Sequence, residues 1–473
     1  MKISVYSWCQ KFCFDKVSFN EFYLYKLPLL YIGGDSMKIV YIADNRNRGN
    51  YGCRATSTAL SQLVSEKHEI VGRISGRYTN YETGRLFFAK YLPSWVYGKL
   101  GNIPNWEYIK KVIYMWTRFR AKDKYLLGRY DYVSQDLDKS ISNLIKCLPA
   151  NPELNEFDLR QYDFDAIVVN GEGSFIFSTP PRRESLVIAM LIHWAQKMGK
   201  KVFFMNAMFS DCPFSERNTK TINIVDEILA KSDLVVVREN YSYEYVSNYL
   251  PHVHPVIIPD ALFSWYDLVN DEHQVLNGKY YMPQKNESDE FYYSYDFIQP
   301  YICISGTSAR INYSDINELI QSFCMLTLKV KNEFNLKVYL VQACEGDDFL
   351  YDVGKITNTP VIPLETPIIA AAKILANARL LISGRYHPSI MASLGGTPCI
   401  FMKSNSHKTL SLQQLLEYDK IYEYESTPDE NECNEIIVHA RSMYDSGEAL
   451  RNKIKNRCKA LSIEARKMID LIN

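Results

Sequence analysis

The run Met37-Lys-Ile-Val-Tyr-Ile-Ala43 is followed directly by Asp44-Asn-Arg-Asn-Arg-Gly-Asn-Tyr-Gly-Cys-Arg54, and this junction decides the fold. The first part is a short apolar run rich in β-branched and aromatic residues, which predicts a buried strand. The second part is a glycine-containing turn that leads into an amphipathic stretch over residues 54–66, which predicts a helix. A strand that ends in such a turn and opens a helix predicts a βα unit of a parallel sheet.

The same alternation of strand and helix patterns continues along the chain in two series. The first series predicts strands at Lys38–Ala43, Glu69–Ile74, Ala166–Asn170, Lys201–Asn206, Leu234–Arg238 and Pro255–Ile258, with helices at 54–66, 183–199 and 218–230. The second predicts strands at Tyr301–Ser305, Lys337–Gln342, Thr359–Ile362, Leu380–Ser383 and Pro398–Phe401, with helices near 314–332, 366–377, 386–394 and 408–417. This pattern predicts an α/β protein with two Rossmann-like, doubly wound domains that face each other across a cleft.

The predicted domain boundaries lie where the alternation stops. Polar runs and a proline interrupt it within 265–298. Met37 opens the first strand pattern, so the residues before it are an upstream extension or a mis-assigned start and receive no catalytic role. The prediction is an N-terminal extension at 1–36, an N-terminal Rossmann-like domain at 37–270, a linker at 271–298, a C-terminal Rossmann-like domain at 299–430 and closing helices at 431–473.

Composition excludes several classes of protein. The 473 residues are 47% hydrophobic and 23% charged, which is typical of a globular chain. Lys and Arg together number 54, as do Asp and Glu, so no overall positive field recruits nucleic acid. The 11 cysteines are scattered and form no Cys-x-x-Cys pair, and His252 and His254 lack acidic or thiol neighbours, so no metal site is predicted. With neither a secretion signal nor a spanning apolar segment in the pattern, we expect a cytoplasmic protein.

A basic, aromatic segment interrupts the first series. Residues 73–129, within a predicted insertion at 75–160, carry twelve Lys and Arg against three acidic residues, with thirteen Phe, Tyr and Trp among them. Basic charge combined with interfacial aromatics suits peripheral contact with an anionic membrane surface. The alternative is a solvated helical insertion whose aromatics pack on the sheet, and the sequence leaves both interpretations open.

Two glycine-containing turns follow predicted strands of the first series, at the sheet edge where ligands of doubly wound folds bind. In Asp44–Arg54, the side chains of Arg48 and Asn50 predict a site for an anion or polar ligand, with a plain βα turn as the alternative. In Asn170-Gly171-Glu172-Gly173, the glycines direct the Glu172 carboxylate into the cleft, where it can take a proton from a sugar hydroxyl or hold that hydroxyl.

A third motif, Val237-Arg238-Glu239-Asn240, ends another predicted strand. Arg238 is expected to reach into the cleft while Asn240 caps the following helix. A purely structural pair between Arg238 and a glutamate is the alternative. Asp260, after the next strand, allows the same two interpretations.

The fourth motif, Ser383-Gly384-Arg385-Tyr386-His387, carries the strongest signal. It has the form of an apolar strand, a glycine turn and a helix start, with Lys403, His407 and Lys408 farther along the chain. An arginine fork matches a carboxylate or phosphate in two bonds, and a histidine can supply a proton near neutral pH. The motif therefore predicts a compact cationic pocket.

Together these motifs resemble the polysaccharide pyruvyl transferase family from about Met37 to Tyr418. The matching segments are the early asparagine-glycine motif that ends at Gly49-Asn50, Asn170–Gly173, Val237–Ser242, Pro259-Asp260-Ala261-Leu262-Phe263, Ser383–His387 and Gly396-Thr397-Pro398. The chain departs from the family pattern at Gly49-Asn50, where the family has Gly-Asp, and in having a glutamate within its glycine run.

The resemblance implies a fold like that of GT-B glycosyltransferases, and transfer of pyruvate from phosphoenolpyruvate onto two hydroxyls of one sugar as a cyclic ketal. Phosphoenolpyruvate is then a substrate, and no cofactor is implied. The implied catalytic residues are His387, Arg385 and Glu172. The implied donor-binding residues are Arg238, Arg385, Tyr386, His387 and Lys408, and the acceptor-binding residues are Arg48, Asn50, Asn170 and Glu172.

The acceptor class follows from the basic aromatic segment and not from a motif: it suggests a lipid-linked oligosaccharide or polysaccharide precursor at the inner face of a membrane. Two alternatives remain open at the level of sequence. One is a GT-B glycosyltransferase that uses a sugar nucleotide, and the other is a carbohydrate-binding or assembly protein that retains the fold without catalysis.

Overall fold

The computed structural model describes residues 36–75, 132–150, 152–271, 279–283, 292–309 and 316–473, with short pieces at 99, 103–105, 108–109 and 112. The predicted N-terminal extension, apart from Ser36, lies outside the described residues. So does most of the basic aromatic segment 73–129, and both interpretations of it stay predictions.

The N-terminal half is built on a six-stranded parallel sheet. Its strands are β1 Lys38–Asp44, β2 Glu69–Ser75, β3 Ala166–Phe177, β4 Lys201–Asp211, β5 Leu234–Val237 and β6 Val256–Ile257. The sheet order is β2-β1-β3-β4-β5-β6. From β1 the chain first adds β2 at one edge, and from β3 it then adds β4, β5 and β6 toward the other edge. The central strands are buried on both faces, as the near-continuous apolar runs predict.

The helices of this half are α1 Tyr51–Ser65, α2 Leu137–Cys147, α3 Arg183–Lys197, α4 Thr219–Ala230, α5 Asn240–Tyr249 and α6 Tyr266–Asn270. Three of them, α1, α3 and α4, occupy the predicted stretches, and α5 begins at the predicted cap, whereas α2 and α6 were not predicted. The Asn50 side chain caps α1 by accepting a hydrogen bond from the backbone N–H of Cys53.

Strands β3 and β4 run five or more residues beyond the predicted ends at Asn170 and Asn206. Their pairing shifts register between Glu172 and Phe175 and then continues to Phe177 and Asp211. Phe175 stacks on Phe209 with ring centroids 5.7 Å apart. These aromatic contacts stabilise the extension past the carboxyl edge of the sheet, where it forms a wall beside the cleft.

The C-terminal half has a five-stranded parallel sheet in the order β11-β10-β9-β12-β13. Its strands are β9 Tyr301–Thr307, β10 Lys337–Val341, β11 Val361–Ile362, β12 Leu380–Gly384 and β13 Cys399–Phe401. Its helices are α7 Ile316–Glu333, α8 Phe349–Thr357, α9 Ile368–Asn377, α10 Tyr386–Leu394 and α11 Lys408–Leu415. Of these elements, α8 was not predicted.

The segment between the sheets contains α6 and a two-stranded antiparallel pair, β7 Lys279–Pro283 with β8 Tyr292–Asp296. The chain ends in helices α12 Glu430–Asp445 and α13 Gly447–Arg466, as predicted. Leu461 of α13 shares an apolar cluster with Leu262 and Trp265, so the last helix packs against the N-terminal half. In the described parts of the chain, no helix combines the length and apolarity needed to cross a bilayer.

The two halves also meet directly where α1 begins. The backbone N–H of Tyr51 donates to Ala343 O at 2.8 Å, and that of Glu345 donates to Gly49 O at 3.0 Å. A Cβ at Gly49 would lie 2.3 Å from the Glu345 carboxylate, so a side chain there would displace that of Glu345. The turn after β1 therefore pairs with the loop after β10, and the carboxyl ends of the two sheets face each other.

Candidate active site

A cavity of about 80 Å³ lies between the carboxyl ends of the two sheets. It is lined by Asn50, Glu172, Gly173, Arg238, Ser308, Ala343, Arg385, Tyr386, His387, Pro388 and Lys408. Seven of the nine predicted site residues are in that set. They come from the turns after β1, β5 and β12, from the point in β3 where its pairing with β4 shifts register, and from the first turns of α10 and α11.

His387 is held on the first turn of α10 and reaches across to the N-terminal half. Its Nε2 lies 3.2 Å from Asp260 Oδ2 and 3.4 Å from Arg238 Nη1. A Cβ at Gly52 would come within 2.3 Å of His387 Nδ1, so the imidazole packs directly on the start of α1. The histidine of one half is thus embedded among groups of the other.

Arg238 is fully buried beside this histidine. Its Nη1 donates to Asp260 Oδ2 at 3.1 Å, and its guanidinium carbon lies 4.3 Å from the centre of the Tyr386 ring. The carboxylate that pairs with Arg238 belongs to Asp260, and Glu239 accepts from the Ser242 N–H at 3.1 Å. Glu239, not Asn240 as predicted, is therefore the N-cap of α5.

Arg385 enters the cavity from the C-terminal half. Its Nη2 donates to Asp347 Oδ1 at 2.5 Å, and Asp347 is fully buried. Among the described residues, the buried Nε atoms of both Arg385 and Arg238 have no hydrogen-bond partner. Buried donors without partners are costly, and both guanidinium groups line the cavity, where an anion would offset their charge.

Lys408 adds a third cationic side chain. It is partly exposed and lies at the first position of α11. Burial, with the positive charges of Arg238 and Arg385 nearby, lowers the pKa of Lys408 to about 7. Arg238 and Arg385 disfavour a further positive charge on Lys408, and an anionic ligand in the cavity would relieve that repulsion.

Glu172 supplies the acidic wall of the cavity. Its backbone has φ +36°, in the left-handed region, and its carboxylate accepts from Cys53 Sγ at 2.9 Å and from Asn45 Nδ2 at 2.8 Å. Burial opposes ionisation, but the charge of His387 and the bond from Cys53 hold the pKa of Glu172 below its ordinary value. Glu172 is therefore ionised, and its backbone adopts a left-handed conformation that residues other than glycine disfavour.

Two predicted acceptor residues lie outside this set. Arg48 pairs with Glu184 at 3.1 Å, and Asn170 is fully buried behind the cavity, where its Oδ1 accepts from Asn206 Nδ2 at 3.3 Å. Arg48 remains near the Glu172 carboxylate, which it helps to keep ionised. Asn170 belongs instead to the support of the site.

Sequence reasoning missed Asp347 and Cys53 and left Asp260 ambiguous. Asp347 follows β10, so the same strand-end rule could have singled it out. Cys53 lies within the first glycine turn, but nothing in its spacing indicated a carboxylate partner. Within the parts of the chain that the structure describes, no group of three His, Cys, Asp or Glu residues could hold a metal ion.

Two Rossmann-like domains that face each other across a cleft, with the candidate site between their carboxyl edges, define the GT-B class of fold. The chain belongs to the polysaccharide pyruvyl transferase family, whose model matches residues 50–407. It is therefore a member of a transferase family, and both the fold class and the family resemblance are confirmed.

Solved structures of similar fold have very different sequences. One is described as a UDP-N-acetylglucosamine 2-epimerase from Listeria monocytogenes, with 11% identity and a TM-score of 0.50 over 92% of this chain and 94% of that chain. Another is UGT89C1 of Arabidopsis thaliana complexed with UDP-L-rhamnose, with 11% identity and a TM-score of 0.47 over 92% of this chain and 98% of that chain. A comparison with curated proteins gave no match.

Proposed function

We propose that this protein transfers pyruvate from phosphoenolpyruvate to two hydroxyls of one sugar and forms a cyclic ketal. The observation that carries the proposal is the convergence of Arg238, Arg385 and Lys408 with His387 on one small cavity that also holds the Glu172 carboxylate. A small donor with two anionic groups matches three cations, and a proton-transfer reaction matches the histidine and the carboxylate.

The cations fit both ends of the donor. Phosphoenolpyruvate carries a carboxylate and a phosphate, and the buried Nε atoms of Arg238 and Arg385 lack partners among the described residues. Each guanidinium can therefore donate a hydrogen bond to phosphoenolpyruvate that it does not donate to the protein. Lys408 can neutralise charge on the phosphate as it leaves.

The reaction needs one proton delivered and two hydroxyl protons removed. Protonation of the donor methylene carbon by His387 makes C2 electrophilic, and the first hydroxyl forms a C–O bond to it. The second hydroxyl then replaces phosphate at the same carbon. Glu172 holds the attacking hydroxyl and takes its proton, while the departing phosphate carries the proton of the other.

The acceptor side of the site is formed by the N-terminal half. Asn50 lines the cavity beside Glu172, and its amide nitrogen makes no hydrogen bond to described residues while its oxygen caps α1. We propose that Asn50 contacts the sugar, with Arg48 nearby. We further propose that the acceptor is a lipid-linked oligosaccharide or polysaccharide precursor, which a cytoplasmic protein would meet at the inner membrane face. This proposal is supported only by the sequence of 73–129.

The test is a reaction of purified protein with phosphoenolpyruvate and surface glycan isolated from cells that lack the gene. Phosphate release is measured, and mass spectrometry follows the glycan. We expect phosphate release together with glycan that gains one pyruvate ketal. Consumption of a sugar nucleotide in place of phosphoenolpyruvate would contradict the proposal and favour a glycosyltransferase.

Two arginine variants make the test specific. Arg385→Lys keeps the charge but loses the planar fork, and we expect product formation to fall at least tenfold. Arg379→Ala is the control, because Arg379 is 41% exposed and, in the described part of the chain, forms its ion pair with Glu448 at 2.9 Å. Equal activity of the two variants would remove Arg385 from the donor site.

A further inference from the structure

Asp260 makes four hydrogen bonds behind the cavity, although it does not line it. Its Oδ1 accepts from Thr56 Oγ1 at 2.8 Å and from the Leu262 N–H at 3.0 Å. Its Oδ2 lies 3.1 Å from Arg238 Nη1 and 3.2 Å from His387 Nε2. The carboxylate is fully buried and all of its bonds are directional, so its rotation is fixed.

The support extends one step farther into the N-terminal half. The Thr56 hydroxyl accepts a bond from Asn206 Nδ2 at 2.7 Å, so its own proton is directed at Asp260. Asn206 Oδ1 in turn accepts from the Ala261 N–H at 3.0 Å. These contacts hold both the carboxylate and the backbone that carries it.

Two neighbours compete for His387 Nε2, and the nearer one, Asp260 Oδ2 at 3.2 Å, favours a proton there. Arg238 can only donate, and its Nη1 lies closer to Asp260 Oδ2, at 3.1 Å, than to Nε2, at 3.4 Å. Burial opposes ionisation of Asp260, but the charges of His387 and Arg238 hold its pKa well below the ordinary value. An ionised carboxylate can only accept, so a proton on Nε2 makes the contact favourable and a lone pair there makes it repulsive.

The other ring nitrogen has no such partner. No described residue hydrogen-bonds His387 Nδ1, and the nearest feature of α1 is Gly52, whose missing side chain leaves room for it. We propose that Asp260 is a positioning residue that holds His387 as the Nε2–H tautomer, and that Nδ1 is the nitrogen that exchanges a proton with the substrate.

The step follows from the proposed function, on which the identity of the substrate rests. In the imidazolium, Nδ1–H breaks as its proton bonds to the methylene carbon of phosphoenolpyruvate, using the electron pair of the C2–C3 double bond. A sugar hydroxyl oxygen bonds to C2. The O–H bond of that hydroxyl breaks as its proton passes to Glu172. The histidine is left as neutral Nε2–H imidazole facing Asp260, and the proton taken by Glu172 later returns to Nδ1, while the proton of the second hydroxyl leaves with phosphate.

The first measurement needs no substrate. The whole protein is labelled with ¹⁵N-histidine, His387 is assigned with His387→Gln, and the ring nitrogen shifts are recorded above neutral pH. We expect Nε2 protonated and Nδ1 unprotonated in the wild type, and a shift toward protonated Nδ1 in Asp260→Asn. A wild-type Nδ1–H tautomer would overturn the proposal.

Kinetics separate positioning from binding. We expect Asp260→Asn to lower kcat by about 10³–10⁴-fold, as an aspartate-to-asparagine change does when it releases a histidine tautomer, while the Kd of phosphoenolpyruvate changes less than fivefold. Thr56→Val removes one bond to Asp260 and should lower kcat about threefold to tenfold. Thr58→Val is the control on the same helix, because its hydroxyl donates to the Arg54 carbonyl at 2.7 Å and makes no bond to Asp260.

The outcomes distinguish the two proposals. If Asp260→Asn does not fold, the wild-type tautomer and the kcat of Thr56→Val test the role of Asp260 instead. Unchanged shifts and kcat in Asp260→Asn would overturn the role of Asp260. An Nε2–H tautomer with no phosphate release from phosphoenolpyruvate would leave Asp260 as the residue that fixes the histidine and overturn the proposed substrate.

Discussion

Gly52→Ala tests whether the start of α1 sets the position of His387. A Cβ at residue 52 would lie 2.3 Å from His387 Nδ1 and 2.9 Å from its Cβ and Cγ, so the imidazole must retreat by about 1 Å to reach an ordinary contact near 3.4 Å. The clash involves the base of the histidine side chain, which cannot swing away by a torsion at its far end. Such overpacking costs about 1–3 kcal/mol.

Part of that cost is offset, because alanine is the better helix former by about 1 kcal/mol. We therefore expect a loss of unfolding free energy of up to about 2 kcal/mol. The effect on rate is larger, since a displacement of about 1 Å at a reacting group can lower kcat about 10²-fold.

The assay compares phosphate release from phosphoenolpyruvate with thermal unfolding of the same preparations. Thr58→Ala provides the control, because it changes the same helix without a contact to His387. If Gly52→Ala keeps kcat within twofold of the wild type, the packing of His387 on α1 is not what positions it, and the reasoning is refuted.

Three further changes test the other groups. Lys408 binds the donor in its cationic form, which is lost as pH rises through its pKa of about 7. The KM for phosphoenolpyruvate should therefore rise about fivefold from pH 7 to 8. Lys408→Arg should flatten that rise in steady-state kinetics, and a rise of the same size in the variant would contradict the role of Lys408. Glu172→Gln should lower kcat about 10²–10⁴-fold with an unchanged donor Kd by calorimetry, and a Kd effect alone would disprove its role. Cys53→Ala removes one bond to Glu172, worth about 1 kcal/mol, and should lower kcat about fivefold in the same rate assay, whereas unchanged kcat would show that the thiol does not hold the carboxylate.

The fold could be predicted because buried parallel strands leave apolar, β-branched runs in the sequence. The bounds of β12 and α10 agree with the prediction within one residue. The extension of β3 to Phe177 could not be predicted, since it depends on pairing with β4 and on aromatic contacts across strands. The local sequence pattern indicates which residues favour a strand, whereas hydrogen bonding to the neighbouring strand determines where the strand ends.

Glycine motifs that follow predicted strands revealed part of the site, because they pointed to Glu172 and His387. Their partners could not be predicted, because they come from distant parts of the chain: Asp260 lies 127 residues from His387, and Asp347 lies 38 residues from Arg385. The N-cap of α5 was misplaced by one residue, since Glu239 and Asn240 can both cap and only the backbone geometry separates them.

Calorimetric titration of the wild type and Arg385→Lys with phosphoenolpyruvate, and with a sugar nucleotide, distinguishes the proposed donor from its alternative. We expect one molecule of phosphoenolpyruvate bound per chain, at least tenfold weaker binding to the variant, and no comparable binding of the sugar nucleotide. Tight binding of the sugar nucleotide with none of phosphoenolpyruvate, or equal binding of phosphoenolpyruvate to both proteins, would contradict the proposal.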